Sequence, residues 1–193
     1  MMRTVDVSLL SIDERERQAR LGVRDDTPLD GEELYTAAVK SVSRPAYVAR
    51  RVGIKRCEGG VTLDGVLFKS EALSRMLDGC SFGYIIVATL GFRLDRRLLA
   101  AASEPYRLFV EDAISDCLIE ALLDYAEGEL GCKERFTNRF SPGYGDLDLA
   151  YGRVIVSMAG ADKALGIRFT ESGLMSPRKS VNAIIGIKDG DEA

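Results

Sequence analysis

The chain has 193 residues, 46% of them hydrophobic and 29% charged, with a net charge of −4. That length suits one well-filled core, so residues 1–193 are expected to form a single domain, and the negative balance argues against nucleic acid or an anionic membrane as the main partner. There is no histidine at all, which excludes Ser-His-Asp and Cys-His nucleophile systems, His-ligated zinc and any imidazole base supplied by this chain.

The first predicted helix opens at Ser11, with Glu14 completing a capping box, and stops at Gly22. A second is signalled by Asp30 with Glu33 and by Leu29 with Leu34 at staple spacing, and Pro45 ends it. Residues 47–56 and 61–68 read as strands, joined by a tight turn at Glu58-Gly59-Gly60. Residues 70–78 form a short helix stopped by Gly79, and residues 82–90 (FGYIIVATL) are too apolar for anything but a buried strand. A long helix starts near Glu104 and Pro105 and runs to Glu129, closed by Gly131. After an irregular stretch with Pro142, Gly143 and Gly145 come a helix over residues 147–159 and strands over 167–170 and 181–187. Residues 188–193 are polar and expected to fray. Strands and helices do not alternate in a βαβ rhythm. The predicted class is therefore α+β, an antiparallel or mixed twisted sheet with helices packed on it.

No apolar run approaches the roughly 20 residues of a membrane span. The N-terminus reads as neither signal nor transit peptide, which makes the cytoplasm the expected compartment. Cys57, Cys80, Cys117 and Cys132 are scattered and never paired as Cys-x-x-Cys. They read as reduced thiols, most of them in the core. Glycine-rich dinucleotide and P-loop signatures are missing. The basic groups Arg50, Arg51, Lys55, Arg56 and Arg93, Arg96, Arg97 read as solvated faces of strands and helices.

On the long helix, a 100° step from Tyr106 builds an apolar face of Val110, Ala113, Ile114, Cys117, Leu118, Ala121 and Tyr125. Glu120 and Asp124 fall at its edge, four residues apart, where like charges repel. Either they bend toward water or they face a cationic ligand or partner.

Two short segments carry the remaining information. Arg139-Phe-Ser-Pro-Gly-Tyr144 joins a guanidinium fork suited to a carboxylate with a restricted loop and a flat aromatic face. It is either a plain turn or a ligand loop. Thr170-Glu171-Ser172 places three polar side chains directly after a strand, followed by Met175, Pro177, Ser180 and Val181.

Together, Arg139-x-x-x-Gly143-Tyr144 and Thr170-Glu171-Ser172-x-x-Met175-x-Pro177-x-x-Ser180-Val181 resemble the reactivation domain of cobalamin-dependent methionine synthase. Residues 84–91 (YIIVATLG) are similar to a strand of that family, and Glu120 falls where the family has a glutamate near its ligand. The resemblance is clearest over residues 80–187. The chain departs from the family in carrying Ile184 and Ile185 where the large enzymes have aromatics in and beyond the final strand.

The resemblance implies an S-adenosylmethionine site formed by Glu120, Arg139, Ser141, Gly143, Tyr144, Thr170, Glu171 and Ser172, with no self-contained catalytic centre. It implies that cobalamin is met only through a partner, a cobalamin-binding methionine synthase or another corrinoid methyltransferase, with a flavodoxin-type reductase as electron source. The partner's inactive cob(II)alamin would then be methylated reductively. The alternatives are a docking module for a corrinoid protein that no longer binds S-adenosylmethionine, and a self-sufficient small-molecule methyltransferase.

Overall fold

The computed structural model describes residues 2–22, 32–42, 44–131 and 135–190. The strands are β1 (Met2–Thr4), β2 (Ala46–Cys57), β3 (Gly60–Leu63), β4 (Val66–Phe68), β5 (Phe82–Thr89), β6 (Arg168–Phe169), β7 (Met175–Ser176) and β8 (Ser180–Ile187). The helices are α1 (Glu14–Leu21), α2 (Glu32–Ser41), α3 (Glu71–Met76), α4 (Phe92–Ala100), α5 (Pro105–Glu129), α6 (Tyr151–Ala159) and α7 (Ala161–Ala164).

The main sheet has the order β4-β3-β2-β5-β8, with β1 also paired to β2, and every pairing is antiparallel. β5 lies between β2 and β8, so Ile86 is opposite both Ala49 and Ala183. Its uninterrupted apolar run follows from burial on both faces. Ile86 and Ala88 join one core with α1, α2, α4 and α5, while Ile85 and Val87 join a second core with α3, α6 and α7. Alternation along a strand sends neighbouring side chains to opposite faces, so an apolar residue is needed at every position. The α+β class, with an antiparallel sheet and helices packed on it, is the observed one.

Several boundaries move for local reasons. Asp13, not Ser11, caps α1: its carboxylate accepts from the Arg15 and Glu16 amides at 2.8 and 3.2 Å. The stop at Gly22 holds, with φ 66°. The proposed Asp30 and Leu29 signals lie outside the described residues. The single strand expected over 61–68 is a hairpin, because Asp64 and Gly65 both take positive φ, 48° and 84°. That is the backbone a two-residue Asp-Gly turn requires. Helix α4 went unpredicted; it buries Leu94 and Leu98, one turn apart, behind Gly91. The helix expected from residue 147 starts at Tyr151, since Asp148 and Leu149 carbonyls close turns onto Tyr151 and Gly152 first. β7 was likewise unread.

The expected fraying after residue 187 does not occur at Lys188 and Asp189. The Lys188 amide donates to the Arg135 carbonyl at 2.9 Å, and the Asp189 carboxylate accepts from the Ser81 amide and hydroxyl. Cys80 and Cys117 are buried, Cys57 is exposed, and Cys132 lies outside the described residues. Burial pushes the Cys117 thiol up to about 11, which makes it a core group and a poor nucleophile. Arg50, Arg56 and Arg97 of the basic clusters are engaged within the fold, by Asp64, Asp78 and the fully buried Glu111.

No helix among the described residues is long and apolar enough to cross a membrane.

Candidate functional site

The Arg139 loop runs along the outer edge of β8. Phe140 and Ile184 form an antiparallel bridge, and Phe136 forms another with Ile187. Phe140 packs into the core that contains Ile184, so the preceding side chain, Arg139, is turned to the other face, toward α5. There Glu120, Asp124 and Glu127 stand at i, i+4 and i+7, one stripe of the helix. Each takes one edge of the guanidinium: Glu127 at Nε (2.6 Å), Glu120 at Nη1 (2.8 Å) and Asp124 at Nη2.

The pair of like charges that looked anomalous on the helix is thus bridged by a cation from the chain itself. Burial works against the Arg139 charge. Hydrogen bonds and attraction from Glu127 and then Asp124 more than offset it, and its pKa stays above the ordinary arginine value.

The rest of the loop is closely specified. The Tyr144 amide donates to the Ser141 carbonyl at 3.0 Å and the Gly143 amide to the Leu147 carbonyl at 2.7 Å. Gly143 has φ 92°, and a Cβ there would meet the Leu149 side chain at 3.0 Å. Gly145, at φ 54°, would meet the Ala72 Cβ at 2.8 Å. Tyr144 packs edge-on against Phe140, ring centroids 6.0 Å apart. Asp146 anchors the far end on α3, accepting from the Ser70 hydroxyl and from the Glu71 and Ala72 amides at 2.8 and 3.1 Å. The Ser70 hydroxyl and these amides hold its pKa at about 2.

A groove of about 270 Å³ opens between this loop and the β6–β7 hairpin. Ser141, Pro142 and Tyr144 line one side, Phe169 and Met175 another, with Glu120 and Asn182 completing the wall. Glu120 therefore belongs both to the Arg139 cluster and to the groove.

Of the predicted residues, Arg139 and Gly143 are not among those lining the groove, and the structure separates the hairpin residues from this wall as well. Thr170, Glu171 and Ser172 are exposed on the turn of the hairpin. The Thr170 hydroxyl bonds the Ser172 hydroxyl (2.9 Å) and accepts from the Leu174 amide (3.1 Å), so it shapes the turn, and it is Gly173, Leu174 and Met175 that reach the groove. Phe169, Gly152 and Asn182 were not singled out from sequence. Strand alternation back from Ile184 places Asn182 on the face of Ile184, and that signal was available. Asn182 is 6% exposed, its Nδ2 is 3.2 Å from the Met175 sulfur, and its Oδ1 is buried without a partner.

No family model and no curated protein matches the chain. Among solved structures it matches one described as the crystal structure of the MetH reactivation domain bound to AdoHcy, with TM-score 0.74, over 100% of this chain and 79% of that one. The fold is that of the MetH reactivation domain. Identity across the match is 14%, so the likeness is one of architecture. In this reactivation-domain fold, the Arg139 loop, α5 and the strand beginning Ser180-Val181 meet at the groove.

Proposed function

We propose that the groove binds S-adenosylmethionine and that the chain presents it to a cobalamin-carrying partner for reductive methylation. The observation that carries this reading is the double position of Glu120, on the groove wall and on the Arg139 guanidinium at 2.8 Å. The ligand bears a carboxylate, an ammonium and a sulfonium. Three acids around one arginine leave an excess of negative charge for its cationic groups. The guanidinium has five N–H donors, and those not engaged by the acids remain for a carboxylate. Phe169, Met175 and Tyr144 offer apolar surface for the remainder, beside one buried amide oxygen that lacks a donor. The donor set fits such a ligand.

A groove of about 270 Å³ is slightly smaller than typical small-molecule sites of about 300–1,000 Å³. A ligand in it would project partly outward, as transfer to a second protein demands. When bound, the sulfonium would supply an electrophilic methyl group to the partner's cobalamin, once one electron had reduced cob(II)alamin, and would leave S-adenosylhomocysteine. The residues of this chain hold and orient, a positional contribution. Without histidine it offers no imidazole to cobalt.

A second reading is a docking module for a corrinoid protein that no longer binds the ligand. It is favoured by the pairing of each of the three Arg139 guanidinium nitrogens with an acid of its own chain. Calorimetry separates the two. S-adenosylmethionine should bind saturably, and Arg139→Ala should weaken it by about 2–4 kcal/mol through loss of a charge-assisted contact. An absence of heat at millimolar ligand would overturn the first reading and leave the second.

A further inference from the structure

We infer that Asn182 reads the adenine edge of the ligand, and so sets the base specificity of the groove; this rests on the S-adenosylmethionine reading above. Asn182 belongs to β8 and is 6% exposed, yet it forms part of the groove wall. Its Oδ1 reaches neither water nor a protein donor, and its Nδ2 has only the Met175 sulfur, a weak acceptor, at 3.2 Å. A buried amide left in this state is unfavourable unless something else completes it. The torsion that turns an asparagine amide is broad, so its oxygen can be brought to a group lying against the wall.

The position of that group follows from the rest of the groove. The charged end is at Glu120, the groove residue paired with Arg139, which suits the amino-acid part of the ligand. Asn182 lies by the apolar wall: a Cβ on Gly152 would be 3.4 Å from the Phe169 ring and 3.5 Å from the Asn182 amide nitrogen, so the two side chains are neighbours. The Phe169 ring is in turn backed by the Arg153 guanidinium, 4.9 Å from its centroid. A flat heterocycle against Phe169 brings its edge to Asn182. The asparagine amide, with one acceptor and one donor group, is complementary to the exocyclic amino group and N7 of adenine, an edge on which hypoxanthine presents two acceptors.

The test uses S-adenosylhomocysteine and S-inosylhomocysteine, which differ by the replacement of the exocyclic amino group with a carbonyl. The intact chain should bind the adenosyl compound at least about tenfold more tightly, the consequence of leaving a buried acceptor facing an acceptor. Asn182→Leu should abolish that preference while the ligand-free protein melts at the same temperature or higher, because an uncompensated polar group has been removed. Asn182→Ala provides the same comparison should the leucine variant not fold. Equal affinity of the intact chain for the two compounds, or a preference that survives both substitutions, overturns the inference and leaves the S-adenosyl reading standing. Binding of neither compound by the intact chain overturns both.

Discussion

Phe140 and Ile184 exchange two backbone hydrogen bonds, 2.9 Å from the Phe140 amide and 2.8 Å from the Ile184 amide. With the Phe136–Ile187 bridge, it fixes the Arg139 loop along the outer edge of β8. Pairing here puts the Phe140 ring in the core and the Arg139 guanidinium against α5. A one-residue slip would exchange them, burying a charge among Ile155, Ile167 and Ile184. The register of the loop and the identity of the cluster on α5 are therefore one constraint.

The loop's far end gives a stability prediction. Gly145→Ala should lower the free energy of unfolding by about 1–3 kcal/mol, since a left-handed backbone disfavours a side chain and the new Cβ meets Ala72. The urea midpoint measures it. A midpoint equal to that of the parent would mean that the turn and α3 can separate freely.

Glu120 should behave as a ligand residue. Glu120→Gln should weaken S-adenosylmethionine by about 1–2 kcal/mol, as one charge facing the ligand's cationic groups is lost. The ligand-free melting temperature should hold, because Arg139 keeps Glu127 and Asp124. A variant that melts several degrees lower and binds normally would make Glu120 a structural partner of Arg139 alone.

Asp146 predicts an acid-side dependence. The Ser70 hydroxyl and the Glu71 and Ala72 amides lower its pKa from 3.8 to about 2. The folded state thus prefers the ionised form, and its stabilisation is complete above about pH 4 and disappears as pH falls through about 2. The melting-temperature gap between the parent and Asp146→Asn should be constant from pH 5 upward and should close between about pH 4 and pH 2. A gap independent of pH would show that the hydrogen bonds, not the charge, anchor the loop.

The partner can be tested directly. The chain with S-adenosylmethionine alone should not methylate homocysteine, having no histidine and no paired cysteines. Addition of a corrinoid methyltransferase and an electron donor should produce the methylcobalamin absorption spectrum. Homocysteine methylation by the chain alone would replace the accessory role with a self-sufficient methyltransferase.

Much of the fold was determined by short stretches of sequence read alone. Pro105 opens α5 at its first position, Ser70 caps α3, Gly22 and Gly79 end helical segments with positive φ, and the run from Phe82 declares a strand buried on both faces. These are matters of backbone sterics and of hydrogen bonds within one turn, so the residues that decide them are adjacent. The Asp64-Gly65 turn obeys the same rule. The site is different in kind. Arg139, Gly143 and Tyr144 mark a closely specified loop, yet the partners of Arg139 are 12 to 19 residues away on a helix. Thr170 and Ser172, polar and well placed in sequence, turn out to hold their own hairpin, while Asn182, two residues beyond Ser180, lines the groove. Only the tertiary structure decided these roles, because which side chains meet is set by the register of β8 against its neighbours and the rotation of α5 over the sheet, and both follow from burying apolar surface contributed by the whole chain.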